Sequence, residues 1–103
     1  MRFMLTLLVP PEEGNAAMKD GRFMSAFKSV MEELQPEAAY FAEIEGVRGG
    51  YGVVNMDDAA QIPAICEPLL LGLGATVQIH PVFTLDGMPR ITEAIEQARQ
   101  KYG

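Results

Sequence analysis

The sequence predicts an α+β fold: a four-stranded antiparallel sheet with helices over one face, in the order β-α-β-β-α-β, and one further helix at the C-terminal end. Three observations carry this expectation. Four short segments rich in Val, Ile, Leu, Phe and Tyr are separated by stretches of different character. Phe23, Phe27, Val30, Met31 and Leu34 recur at the spacing of one helix face. The second and third apolar segments are joined only by a short glycine-rich stretch, which suits a hairpin and is too short for a helix. At 103 residues the chain is expected to be a single domain, residues 1–103, with one core.

Arg2–Val9 reads as the first strand, ended by Pro10-Pro11 because proline cannot donate to a ladder. A helical stretch follows, beginning between Glu12 and Asn15 and stopped by Pro36, with Lys28, Glu32 and Glu33 outside its apolar stripe. Gly21 is placed to kink or divide it, since glycine costs about 1 kcal/mol against alanine inside a helix. Ala38–Glu45 is the second strand, Gly46–Gly50 a five-residue hairpin loop, and Tyr51–Met56 the third strand. Asp58 and Gln61 have capping-box spacing at the start of the next helix. Pro63 and Pro68 predict that this helix is short or broken, and Gly72 or Gly74 ends it. Ala75–Val82 is the fourth strand. A last helix over Pro89–Lys101 carries Met88, Ile91, Ile95, Ala98 and Tyr102 along one face, with Pro89 at its first position.

This element order is that of a ferredoxin-like sandwich, in which both helices cover the same face of the sheet. The other face is expected to be unfinished. Phe3, Leu5, Leu7 and Val9 occupy one phase of the first strand, yet Met4, Thr6 and Leu8 in the other phase are largely apolar too. A sheet with one wet face alternates more cleanly. A partner chain is the simplest cover, and the C-terminal helix is a second contributor.

Composition excludes several functions. Eight Lys and Arg against 14 Asp and Glu give a net charge of −6, and the basic residues are scattered singly. That argues against nucleic acid and anionic membranes as partners. One Cys and one His cannot build a disulfide or an ordinary structural zinc site. No cofactor is expected, and haem ligation would fall to His80 alone. No apolar run approaches the ~20 residues of a membrane span. The apolar N-terminal stretch lacks a small-residue cleavage site and reads as a strand, so a cytoplasmic location is expected.

The candidate chemistry lies on the strands. With Val77 and Ile79 toward the helices, Thr76, Gln78 and His80 fall in the opposite phase, a polar lining for a cavity beside the sheet. An imidazole there suits proton transfer near neutral pH. Glu43 is a candidate base; the alternative is a solvated acid at an edge strand. Tyr51 and Asn55 share a phase and would complete the cluster with Thr6, Gln78 and His80. The site residues are thus His80, Glu43 and Tyr51 as catalytic candidates, with Thr6, Asn55, Gln78 and Arg48 as ligand-binding ones. Arg48, between glycines, is placed to meet an anion at the cavity mouth. Gly49-Gly50-Tyr51-Gly52 is no phosphate loop, since a strand follows and no lysine is present. Cys66 reads as a core residue and Asp57-Asp58 as a helix start.

Four stretches resemble the dimeric α/β-barrel superfamily: the opening strand Arg2–Val9, the hairpin Glu43–Tyr51, the proline-interrupted helix Asp57–Leu73, and Val77-Gln78-Ile79-His80-Pro81-Val82. The chain is most similar to an uncharacterised bacterial family of about 100 residues, and more distantly to muconolactone-isomerase-like proteins. The resemblance implies two ferredoxin-like protomers packed sheet to sheet, hence a homodimer. It fixes no reaction, because the superfamily holds isomerases, oxidative enzymes and ligand-sensing domains. The expected function is binding or transforming a small organic molecule in a cavity beside the sheet. The alternative is a non-catalytic dimeric structural or ligand-sensing module.

Overall fold

The computed structural model describes residues 1–103. It shows β1 (Arg2–Val9), α1 (Pro11–Lys19), α2 (Arg22–Leu34), β2 (Ala38–Ile44), β3 (Val47–Asn55), α3 (Ile62–Leu73), β4 (Thr76–Pro81) and α4 (Met88–Tyr102). The strands form one antiparallel sheet in the order β2-β3-β1-β4. This is the ferredoxin-like arrangement that the element order predicts.

The helical stretch after β1 is divided. Gly21 takes φ 77°, left-handed backbone that glycine adopts without penalty, and α1 and α2 meet at that break. The first helix starts at Pro11, earlier than expected, because proline's fixed φ suits the first helical turn.

The hairpin corrects the sequence reading most. Its turn is not the five residues Gly46–Gly50 but the two residues Glu45 (φ 54°) and Gly46 (φ 81°). Two consecutive positive-φ residues match the twist of the flanking strands. β3 therefore begins at Val47, and Arg48, Gly49 and Gly50 are strand residues. Glycine is needed at Gly50, where a Cβ would meet the Tyr40 carbonyl oxygen at 2.6 Å.

Asp58 and Gln61 form the expected capping box around a 3₁₀ turn at Ala59–Gln61. Pro63 lies in the first turn of α3, where its missing N–H costs nothing. Of the two alternatives, short or broken, the second does not hold, since α3 is continuous through Pro68. It runs on to Leu73, with buried Ile65, Cys66, Leu69 and Leu73 holding it to the sheet. Gly74 caps it in left-handed backbone.

Val9, Ala17, Phe23, Val30, Leu69, Leu73 and Ala75 form one core cluster between the helices and the sheet. Leu5, Val54, Met56, Ile65 and Cys66 form the other. No side chain of α4 is buried, and this helix packs chiefly on the 3₁₀ turn before it, Leu85–Gly87. The molecule is accordingly long, 58 × 28 × 20 Å.

Candidate functional site

The ladder pairing runs without a bulge from end to end, so each residue's face follows from its register. Phe3, Leu5, Leu7 and Val9 point toward the helices. Opposite them on the same side lie Arg48, Gly50, Gly52 and Val54 of β3, then Ala39, Phe41 and Glu43 of β2, and Val77 and Ile79 of β4. The other face carries no helix.

On that open face the register builds two rows across the sheet. The first is Tyr40–Tyr51–Thr6–Gln78, and the second is Ala38–Val53–Met4–His80. Directly opposed residues on one face have Cβ atoms about 4.5–5.5 Å apart. Thr6, Tyr51, Gln78 and His80 are thus neighbours in a single patch, with His80 one row from Gln78. Their side chains, and that of Tyr40, make no hydrogen bond within the chain. Tyr40 was missed in the sequence. Its place beside Tyr51 depends on the two-residue turn, which a five-residue loop conceals.

Glu43 is not part of this patch. It lies on the helix side of β2, and its carboxylate accepts the Gly46 N–H at 2.5 Å, bracing the turn. His80 and Glu43 therefore occupy opposite faces and cannot serve one reaction as acid and base.

Arg48 is likewise on the helix side. Its guanidinium lies over Gly14, and Nη1 donates to Asn15 Oδ1 at 2.8 Å. It lines an open groove of about 780 Å³ with Phe23, Met24, Phe41 and Glu43.

Asn55 shares the open face with Tyr51 but is already engaged. Its amide donates to Glu37, which also receives Arg2 Nε at 3.0 Å. Hydrogen bonds from Arg2 and then Asn55 hold the Glu37 carboxyl below the usual carboxylate range. A group with a lowered folded pKa contributes stability above its unfolded pKa and loses it as pH falls through the folded value. The carbon-detected titration of Glu37 is therefore expected to have its midpoint below 4.5, and Arg2→Ala to raise it. A Glu37 midpoint unmoved by that substitution would contradict the cluster.

The main cavities do not lie under Thr6, Gln78 and His80. A small apolar cavity of about 50 Å³ lies instead on the helix side, where Gly50 and Gly52 leave room beneath Phe27 and Met31. Neither that cavity nor the Arg48 groove contains Thr6, Gln78 or His80. No three His, Cys, Asp or Glu side chains gather as metal ligands. Burial, and then the charge of Glu67, pushes the Cys66 thiol pKa up, which suits packing rather than nucleophilic attack.

No protein-family model and no curated protein matches the chain. Solved structures do. The 5-chloro-2-hydroxyhydroquinone dehydrochlorinase TftG of Burkholderia phenoliruptrix AC1100, in complex with 2,5-dihydroxybenzoquinone, superposes with a TM-score of 0.62 at 11% identity. That match covers 81% of this chain and 94% of TftG. A formyltetrahydrofolate deformylase of Pseudomonas putida KT2440 gives 0.50 at 12% identity, over 80% of this chain but only 29% of the deformylase. A DUF3240 family protein of Shewanella baltica OS155 gives 0.44 at 21% identity, over 81% of this chain and 91% of its own. At these identities the likeness to TftG and to the deformylase shows the ferredoxin-like fold alone. No helix is long and apolar enough to cross a membrane.

Proposed function

We propose that the protein is a homodimer that binds a small hydroxylated ring molecule against the open face of its sheet. The observation that carries this is the register, which sets Thr6, Tyr51, Gln78 and His80 side by side with unused hydrogen-bonding atoms. Tyr40 and Tyr51 add flat apolar area for a ring. Neither the cavity nor the groove described above reaches Thr6, Gln78 or His80, so in this reading a second chain completes the pocket. In that pocket His80 accepts a proton from a ring hydroxyl, and Tyr51, Thr6 and Gln78 orient the ligand by hydrogen bonds. Glu43, Asn55 and Arg48 stand outside this assignment for the geometric reasons given above. TftG, which shares the fold, acts on a hydroxylated ring by its name. A buried, unpaired Cys66 suits the reducing cytoplasm.

The test is equilibrium dialysis with 2,5-dihydroxybenzoquinone. Saturable binding is expected. His80→Ala and Tyr51→Phe should each weaken it about tenfold, the effect of one lost hydrogen bond to a desolvated partner. Binding unchanged by both substitutions, or none at all, overturns the reading. The second reading, a non-catalytic dimeric module, is favoured by the exposed Met4, Tyr40 and Tyr51. It predicts a dimer that takes up no ring compound and keeps its mass when His80 is replaced.

A further inference from the structure

We propose that α4 is an exchanged arm, laid by each chain across the open sheet face of its partner. This rests on the dimeric reading above and names the element that closes the pocket. The chain leaves the sheet after Val82, whose N–H still donates to the Arg2 carbonyl oxygen at 3.0 Å. It passes through the 3₁₀ turn and continues away from the body as α4. The radius of gyration is 17.2 Å, against roughly 13 Å for a compact chain of this length.

A 15-residue helix without a packed face is marginal in water. Most helical stability in proteins comes from burying an amphipathic face, and α4 has such a face. Met88, Ile95 and Tyr102 lie exposed along it beside half-buried Ile91, and Phe83 and Leu85 are exposed at its root. Ile95 is 62% exposed and Leu85 84%. The same molecule carries an uncovered, largely apolar sheet face. The helix is about 22 Å long, at 1.5 Å per residue. Four strands at about 4.8 Å spacing are of similar breadth, about 14 Å between outer strand axes plus side chains. The arm is directed away from its own sheet, so the face it covers belongs to another copy.

Charge favours a second copy of this chain. Arg90, Arg99 and Lys101 against Glu93 and Glu96 give α4 a charge of 3 − 2 = +1. Residues 1–87 hold five basic and 12 acidic side chains, 5 − 12 = −7. The arm is thus attracted to the body of its own kind, whereas that body is repelled by an anionic membrane. Two-fold symmetry doubles each contact, so two arms and two sheet faces both count toward the roughly 1,600 Å² that a stable interface buries.

The test uses the full-length chain in two forms, one with Ile95→Cys and one with Met4→Cys, mixed by co-refolding and treated with a short bismaleimide. Cys66 is buried, and the parent chain serves as its control. The expected result is a covalent pair containing one chain of each form. In parallel, Ile91→Asp with Ile95→Asp should halve the mass in sedimentation equilibrium while circular dichroism keeps the sheet signal. If that variant stays dimeric and no mixed pair forms, the arm is not exchanged, although the dimer stands. In a third form that carries both Ile95→Cys and Met4→Cys, a cross-link confined to single chains would show α4 folding over its own sheet and also overturns the exchange. A parent protein that sediments as a monomer overturns the arm and the dimer together.

Discussion

A Thr6→Arg variant is expected to sediment as a monomer and to keep its fold. Thr6 lies on β1, a central strand, with Tyr51 on one side and Gln78 on the other. Within one chain it is half-buried and faces away from the helices, so an arginine there finds solvent and strains no core contact. In the proposed dimer the same cation would sit under a covered, partly apolar face with no carboxylate in its row. An unpaired charge in that position costs about 3–5 kcal/mol. At 1.4 kcal/mol per tenfold, association should weaken at least about a hundredfold. Sedimentation equilibrium at micromolar concentration reads this directly, with circular dichroism reporting the fold. A variant that remains dimeric would place the interface elsewhere.

Leu73→Ala carries the largest expected loss of stability. Leu73 is 2% exposed at the end of α3 and belongs to the cluster that includes Val9, Phe23, Val30 and Leu69. Those neighbours come from a strand and two helices that converge there, so none can collapse into the space without moving an element. The cost is expected to be about 2–5 kcal/mol, a large part of the 5–15 kcal/mol that a small domain has. For a domain near 100 residues this lowers Tm by roughly 8 °C or more. The scan must be run at one protein concentration, because any self-association makes Tm concentration-dependent. A shift of only a degree or two would show that the helices repack over the gap.

Strand identity was legible in the residues, because Arg2–Val9 and Thr76–Pro81 are short β-rich runs closed by proline or glycine. Which face each residue takes was legible only within a strand. Linking faces between strands requires the register, and register depends on turn length. Gly49, Gly50 and Gly52 look like loop chemistry, yet they are glycines of a strand interior. The turn they mimic is set by Glu45 beside Gly46, and glutamate in left-handed backbone gives no local signal. Arg48 consequently read as a loop residue at a cavity mouth and turned out to lie along α1. Glu43 was correctly paired in phase with Phe41, but nothing in its own strand says that this phase is the helix side. Pro68 misled for a related reason: the local cost of proline in a helix is outweighed by four buried side chains, which no window of sequence shows. The helix at α4 and its apolar stripe were legible, but no side chain of α4 is buried in the chain, and periodicity does not say what a stripe packs against.

The outer margin of β2 has a consequence of a different kind. β2 closes one side of the sheet, so its outward N–H and C=O groups have no ladder partner. Ala38–Ala42 holds no charge, glycine or proline, and Tyr40 and Phe41 are 68% and 67% exposed on its two faces. A bare aromatic edge strand of this kind is a template for edge-to-edge growth into cross-β fibrils. Glu37 before it is paired with Arg2, but Glu43 and Glu45 end it, so a copy that pairs in parallel must bring like charges together there. The acidity of the chain thereby acts as a guard against self-polymerisation, strongest where the sheet is most open to it.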